Sequence, residues 1–560
     1  MHTAGRGHIK KLSQSAKKPL ARSVAYGYLP CTGITPPETC SPMKQPDETS
    51  GRRGRRRPGA ADASHAVFDR TRAYRHLRNP FEPPRIFSED QVAAIHDAAL
   101  VMLETQGMKV LSEDARVRYR NSGASVDDST QIVRLDRGLV DASLATTPRN
   151  VTLHALDPER HQPLTPGRVV FAPTSGPPNI MDTARGRRAG TFEDFCNLIK
   201  LCQSFEVIHV LGGATEPQDL AVNIRHLHVT RAQLMLCDKI PFIFSRGHGQ
   251  VADNFELIRL AHGISAEEFR SRPYVYTIIN TNSPLQLDIP MADGIIDFAA
   301  AGQVLIVTPF TLAGAMAPVT IAGALTLAHA EFLAGLTLAQ IVKPGAPLVY
   351  GSFTSNVDMK SGSPAFGTPE YVKAAFGAGQ LARFLGLPWR SSNATAANIP
   401  DAQSAYESQM SLWGALFGGC NFVLHAAGWL ESGLTTSYEK FILDIEMLQM
   451  FAEVFQPVGA APSDIALDAV AEVGAGGHFF GCAHTMERYR SAFYAPLVSD
   501  WRNYGSWADD GAKTATERAT GIWQSTLADY VAPKRDPAVV EALDAYVARR
   551  TEQGGAPPVT

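Results

Sequence analysis

The residues able to do chemistry collect just behind short apolar runs. Phe310 follows one run, and Phe353, Asn356 and Asp358 follow the next. Trp389 and Arg390 close a third, and His425, Trp429 and Glu431 stand at or behind the last, with Glu216 behind an earlier one. Aromatic faces beside carboxylates suit a cation that cannot donate hydrogen bonds, a quaternary ammonium above all, because attraction to a ring face needs no donor. Read alone, the same aromatics could plug a core, His425 could be a satisfied core histidine, and Glu431 could cap a helix.

What is missing narrows the chemistry. None of the runs contains a lysine, which argues against a Schiff-base aldolase. None carries His-x-His, so a mononuclear hydrolase metal site has little support. No Gly-rich phosphate cradle follows the last two runs, and no GxGxxG or P-loop occurs. The segment Gly477, His478 through His484 has an H-x3-C-x-H spacing that matches no strong zinc signature, and a structural or partner-contact role suits it better.

The elements that must position these residues repeat. Eight β-branched runs are Val169–Thr174, Val207–Gly212, Ile240–Ser245, Tyr274–Thr281, Val304–Thr308, Leu348–Ser352, Leu387–Ser391 and Asn421–His425. They recur every roughly 30 to 40 residues, with an amphipathic helical stretch between them, as a strand plus crossover helix requires. Eight such units predict an α/β fold, a (β/α)8 TIM barrel over 168–455, whose site lies at the C-terminal ends of the strands. An N-terminal α/β cap is expected over 84–167, with helices from Ser88 to Gln106 and over 113–121 and short strands and turns over 130–165. Residues 456–560 predict a helical extension. Residues 1–83 form a basic, Pro- and Gly-rich tail expected to be disordered, and Met43 is a possible true start.

Composition sets the outer limits. The chain has 560 residues, 45% hydrophobic and 19% charged, enough to bury a large core. Its 52 basic against 55 acidic residues argue against a nucleic-acid binder. No uninterrupted apolar run suits a membrane span. Seven cysteines without a CxxC motif fit a reduced, cytoplasmic protein. A homo-oligomer is expected.

Several long motifs carry a resemblance. They are AGAMAPVTIAGAL from Ala313 to Leu325, LAQIVKPGAPLVYG from Leu338 to Gly351, DMKSG from Asp358 and GTPE from Gly367. PDAQ from Pro400, Tyr406-Glu407, AAGWLE from Ala426, and Ser437 complete the set. Together they resemble the trimethylamine–corrinoid methyltransferase family, over about residues 85–535, a family whose fold is a βα barrel. Founding members place pyrrolysine just upstream of the Pro-Asp-x-Gln motif. Ungapped alignment puts that position near Ala394, within a stretch of ordinary small residues. The resemblance therefore implies the non-pyrrolysine branch, which demethylates quaternary amines such as glycine betaine.

That resemblance also implies the mechanism. A cob(I)alamin nucleophile on a separate, cognate corrinoid protein takes the methyl, and a neutral tertiary amine leaves without a general acid. The expected roles are catalytic for His425 and Glu431, and substrate-binding for Trp429, Phe353, Asn356, Asp358, Phe310, Trp389 and Arg390. Gly477 and His478 would meet the corrinoid. No tightly bound cofactor or metal is expected on this chain. A substrate carboxylate would meet His425, Arg390 or an Asn amide. The alternatives are demethylation of a tertiary methylamine, or a barrel that binds quaternary ammonium without catalysis.

Overall fold

The computed structural model describes residues 73–559, so the tail expected over 1–72 and the possible start at Met43 lie outside the described residues. Residues 73–83, grouped with that tail, include Leu77–Arg78, which pairs antiparallel with Val169 and Arg168. The folded chain thus begins before Pro84.

The fold is mixed α/β around a curled parallel sheet. Its strands are β1 (Arg168–Phe171), β2 (Tyr276–Thr281), β3 (Val304–Ala313), β4 (Leu348–Gly351), β5 (Trp389–Ser392) and β6 (Phe422–Leu424). They lie in the order β1-β6-β5-β4-β3-β2. Alternation sorts their side chains into two layers. Val170, Tyr276, Val304, Ile306, Val349, Phe422 and Leu424 fill the concave interior. Val169, Phe171, Leu305, Val307, Tyr350, Trp389 and Val423 face the surrounding helices. Burial on both faces is why the runs read as continuous apolar stretches.

The second and third runs, expected as full strands, are extended segments joined by single parallel bridges, Val210 to Ile240 and Phe242 to Tyr276. Pro173 and Pro241 remove backbone donors where a longer ladder would run. The crossover helices fall close to their expected places, for example Pro369–Phe384 and Ala402–Phe417.

In the N-terminal layer, Glu89–Thr105 and Glu113–Asn121 are helical as expected. Arg137–Thr146 is a third helix where strands and turns were expected, capped by Asp136, whose side chain accepts from the Gly138 amide. This layer packs on Ile321–Val342, a helix buried on nearly all sides. That helix is the only one among the described residues long and apolar enough to cross a membrane. At the other end of the chain, Ala515–Ala528 packs on Tyr438–Val454, and Pro537–Glu552 packs on Arg225–Leu236 and His248–His262.

Candidate active site

A cavity of about 450 Å3 opens at the C-terminal ends of the strands, lined by Phe310, Phe353, Arg390, His425 and Trp429 from the sequence candidates. Phe244, Arg246, Ile278, Asn280 and Met291 complete much of its wall, and nothing in the sequence pattern marked them beyond their place near strand ends. Phe310 and Phe353 come together because the end of β3 pairs in parallel register with residues 353–356. Their ring centroids are 5.3 Å apart. Phe353 stacks on Phe366 at 5.1 Å and 7°, and meets the Trp429 indole edge-on at 6.1 Å and 89°. Trp429 lies 4.0 Å from the His425 ring and donates from Nε1 to the Thr395 carbonyl at 3.1 Å. The result is an aromatic box with fixed ring planes.

Two buried carboxylates hold the loops that carry the box. Glu407 accepts from the Ala396 amide at 2.9 Å, the Ala397 amide at 3.1 Å, Gln403 Nε2 at 2.8 Å and the Thr395 hydroxyl. Asp444 accepts from the Gly428 amide at 2.8 Å and Asn393 Nδ2 at 3.3 Å, and pairs with Lys440. Lys440 Nζ also donates to Ser408 Oγ at 2.8 Å. Sequence reasoning missed this pair. The signal was there: Lys440 and Asp444 stand as an i, i+4 charge pair in the helix Tyr438–Val454.

His425 follows β6 with φ of +56°, a left-handed conformation that histidine tolerates better than most residues. Burial, reinforced by the charge of Arg390, pushes its imidazole well below the ordinary range. The ring is therefore neutral at working pH, and its Nδ1 has no hydrogen-bond partner. Arg390 points into the cavity because its neighbour Trp389 points out, where it packs against Gly418. Arg390 is 1% exposed, its Nε and Nη1 lack partners, and burial lowers it to about 10. Its guanidinium carbon lies 5.4 Å from the Phe353 ring centre.

The other expected contributors lie outside the cavity wall. Asn356 accepts from the Thr368 hydroxyl at 2.8 Å. Asp358 is exposed and caps its own turn, accepting from Ser361 Oγ at 2.7 Å, and that bond holds its carboxyl below the usual range. Both oxygens of Glu431 accept from Arg187 Nε at 2.9 Å. Glu216 is held by Arg246 at 2.7 Å and Arg225 at 2.5 Å. The expected pairing of aromatics with carboxylates is thus corrected: among the described residues that line the cavity there is no Asp or Glu. Trp389 faces the helices. Gly477 and His478 sit in an exposed stretch of the C-terminal extension, where the His478 ring is 5.9 Å from Phe480. Among the described residues, no three His, Cys, Asp or Glu side chains converge as a metal site.

Residues 51–555 match the family model described as trimethylamine methyltransferase (MTTB). The chain is 36% identical over 472 residues to a glycine betaine methyltransferase of Desulfitobacterium hafniense (strain Y51), covering 84% of this chain and 98% of the relative. It is 28% identical over 471 residues to trimethylamine methyltransferase MttB of Desulfitobacterium hafniense (strain DSM 10664 / DCB-2), covering 83% and 94%. The solved Methanosarcina barkeri monomethylamine methyltransferase (MtmB) overlays with a TM-score of 0.44 at 10% identity, covering 86% and 98%. That overlap is too loose to assign strands.

Proposed function

The chain belongs to the trimethylamine methyltransferase family, and from that premise we propose that it moves a methyl group from a quaternary amine of the glycine betaine kind to the corrinoid of a separate protein. The observation that carries this reading is the aromatic box. Phe310, Phe353 and Trp429 line the cavity, and a ring face attracts methylated nitrogen, which needs no hydrogen-bond acceptor. Neutral His425 closes the box without competing for a proton. Ala394, near the position that ungapped alignment gives pyrrolysine, is fully buried in the same aromatic cluster, which supports the quaternary rather than the tertiary substrate.

The corrinoid supplies the nucleophile. This chain's own residues hold the ammonium, fix its orientation and keep water from the reacting carbon. A cavity of about 450 Å3 suits a small amine and is too small for a corrin ring, so the partner would meet the substrate at the cavity mouth. The described cysteines are free, which supports work in the reducing cytoplasm. The chain, a corrinoid protein encoded beside it and a reductant should consume glycine betaine and leave trimethylamine untouched. Turnover of trimethylamine alone would overturn the reading.

The eight runs are further proposed to close as a (β/α)8 barrel. The bridges at Val210 and Phe242 support this, as does the His209 amide donating to the Phe171 carbonyl at 2.9 Å. If the barrel is closed, hydrogen exchange at His209 and Leu211 will be as slow as along β3. Fast exchange there would mean an open sheet.

A further inference from the structure

The charge inside the cavity selects among quaternary amines. Arg390 is a buried guanidinium with two nitrogens unpartnered, and no carboxylate among the described residues compensates it. Arg246, the other charged residue on the wall, already holds Glu216. A bare monocation would place a second positive charge close to an uncompensated one in a half-dry site, where repulsion is strong. Aromatic faces attract such a cation, but each contributes only modestly.

Depth along the strands shows how both charges could be met. Arg390 is in register with Gly351 and Phe422. Phe353 stands two residues beyond Gly351, and His425 three beyond Phe422, both toward the C-terminal ends. The guanidinium therefore rises from below the box and reaches the Phe353 ring at 5.4 Å. We infer that Arg390 is the residue that selects a betaine over a bare tetraalkylammonium cation: the carboxylate sits on Arg390 while the ammonium lies among the aromatic rings that line the cavity. Entering carboxylate first leaves the N-methyl groups toward the mouth, where an external acceptor can reach them. This inference rests on the quaternary-amine reading above and gives it a selecting residue.

The test is binding to the full chain, followed calorimetrically with three probes of similar shape. Glycine betaine carries both charges, tetramethylammonium only the positive one, and 3,3-dimethylbutanoate only the negative one. Glycine betaine should bind tightest, and Arg390→Met should weaken it on the order of 100-fold, as loss of one partner of a buried charge pair does. The same variant should leave tetramethylammonium unchanged or tighter. Arg390→Lys, which keeps the charge but not the fork, should fall between. Because the substitution to Met removes an uncompensated buried charge, its unfolding midpoint should not drop, and that measurement guards against a folding artefact. Tetramethylammonium binding the native chain as tightly as glycine betaine would overturn the inference and leave the quaternary-amine reading intact. Binding of 3,3-dimethylbutanoate alone would overturn both.

Discussion

Asp444 offers the clearest separation of stability from positioning. It touches nothing in the cavity, yet it accepts from the Gly428 amide at 2.8 Å, one residue before Trp429. It also accepts from Asn393 Nδ2 at 3.3 Å, on the neighbouring loop. Asp444→Ala removes these acceptors and strands Lys440, which is 1% exposed. Removing one member of a buried ion pair costs about 3–5 kcal/mol. For a chain of this length the unfolding entropy is about 1 kcal/mol/K, so the thermal midpoint should fall by about 3–5 °C at a fixed scan rate. Replacing the pair by Asp444→Leu with Lys440→Met should recover most of that loss, since apolar groups of similar volume substitute well for buried ions. Turnover should not recover with it. The Gly428 amide would still lack its acceptor, and misplacing a binding ring by about 1 Å can cost on the order of 100-fold in kcat/KM. Methyl transfer by the single and double variants, read beside their midpoints, decides the matter. A double variant as stable and as active as the native chain would refute the positioning role, because the pair would then contribute only stability.

Three further outcomes follow from the same geometry. Gly433 has φ of +99°, and a Cβ there would lie 2.5 Å from Trp429 Cη2, so Gly433→Ala should push the indole into the cavity. KM for glycine betaine should rise with a shift in tryptophan fluorescence, and unchanged values of both would count against the box. Glu431→Gln should keep kcat near the native value, because its carboxylate serves only a half-exposed Arg187 worth about 1 kcal/mol or less; a large loss of kcat would return Glu431 to the chemistry. Acid should weaken the fold through histidines buried neutral: burial holds His209 and His329 at about 3 and His262 at about 4, against an ordinary 6.5. Below pH 6.5 the unfolded chain binds protons that the folded chain refuses. Stability therefore falls as pH drops from 6.5 toward 4, by up to about 1.4 kcal/mol per pH unit for each histidine. Thermal midpoints measured from pH 8 to 4.5 check this, and a flat profile below 6.5 would refute it.

The strand runs were legible because their composition and their surroundings agree. A parallel strand buried on both faces must be apolar throughout, and Val304–Val307 or Phe422–Leu424 satisfies that without help from distant residues. Where agreement failed, a local rule was overridden. Residues 240–245 look like a strand by side chain, but Pro241 has no amide to give a ladder, and a single bridge is what forms. Arg137–Thr146 was missed for the opposite reason. Its helix depends on the Asp136 cap and on burial of Val140 and Leu144 against neighbours that no short window contains.

The site was half legible, and the dividing line is side-chain direction. Position at a strand end located Phe310, Phe353, His425 and Trp429, and it could not tell which of two adjacent residues faces inward. Trp389 and Arg390 illustrate the consequence, since one residue of register exchanges cavity for helix packing. Carboxylate partners were beyond reach from sequence, because Glu216 and Glu431 are claimed by arginines brought in from elsewhere in the fold: Arg246 lies on the next strand segment and Arg187 on a separate hairpin. That capture reverses the expected electrostatics. A box assumed to be rimmed by negative charge instead holds an unspent positive one, and a site with an unspent guanidinium discriminates by what the ligand carries besides its ammonium. Selectivity among methylated amines would then be set at the cavity floor by Arg390, while the aromatic rings above it recognise a feature that all such amines share.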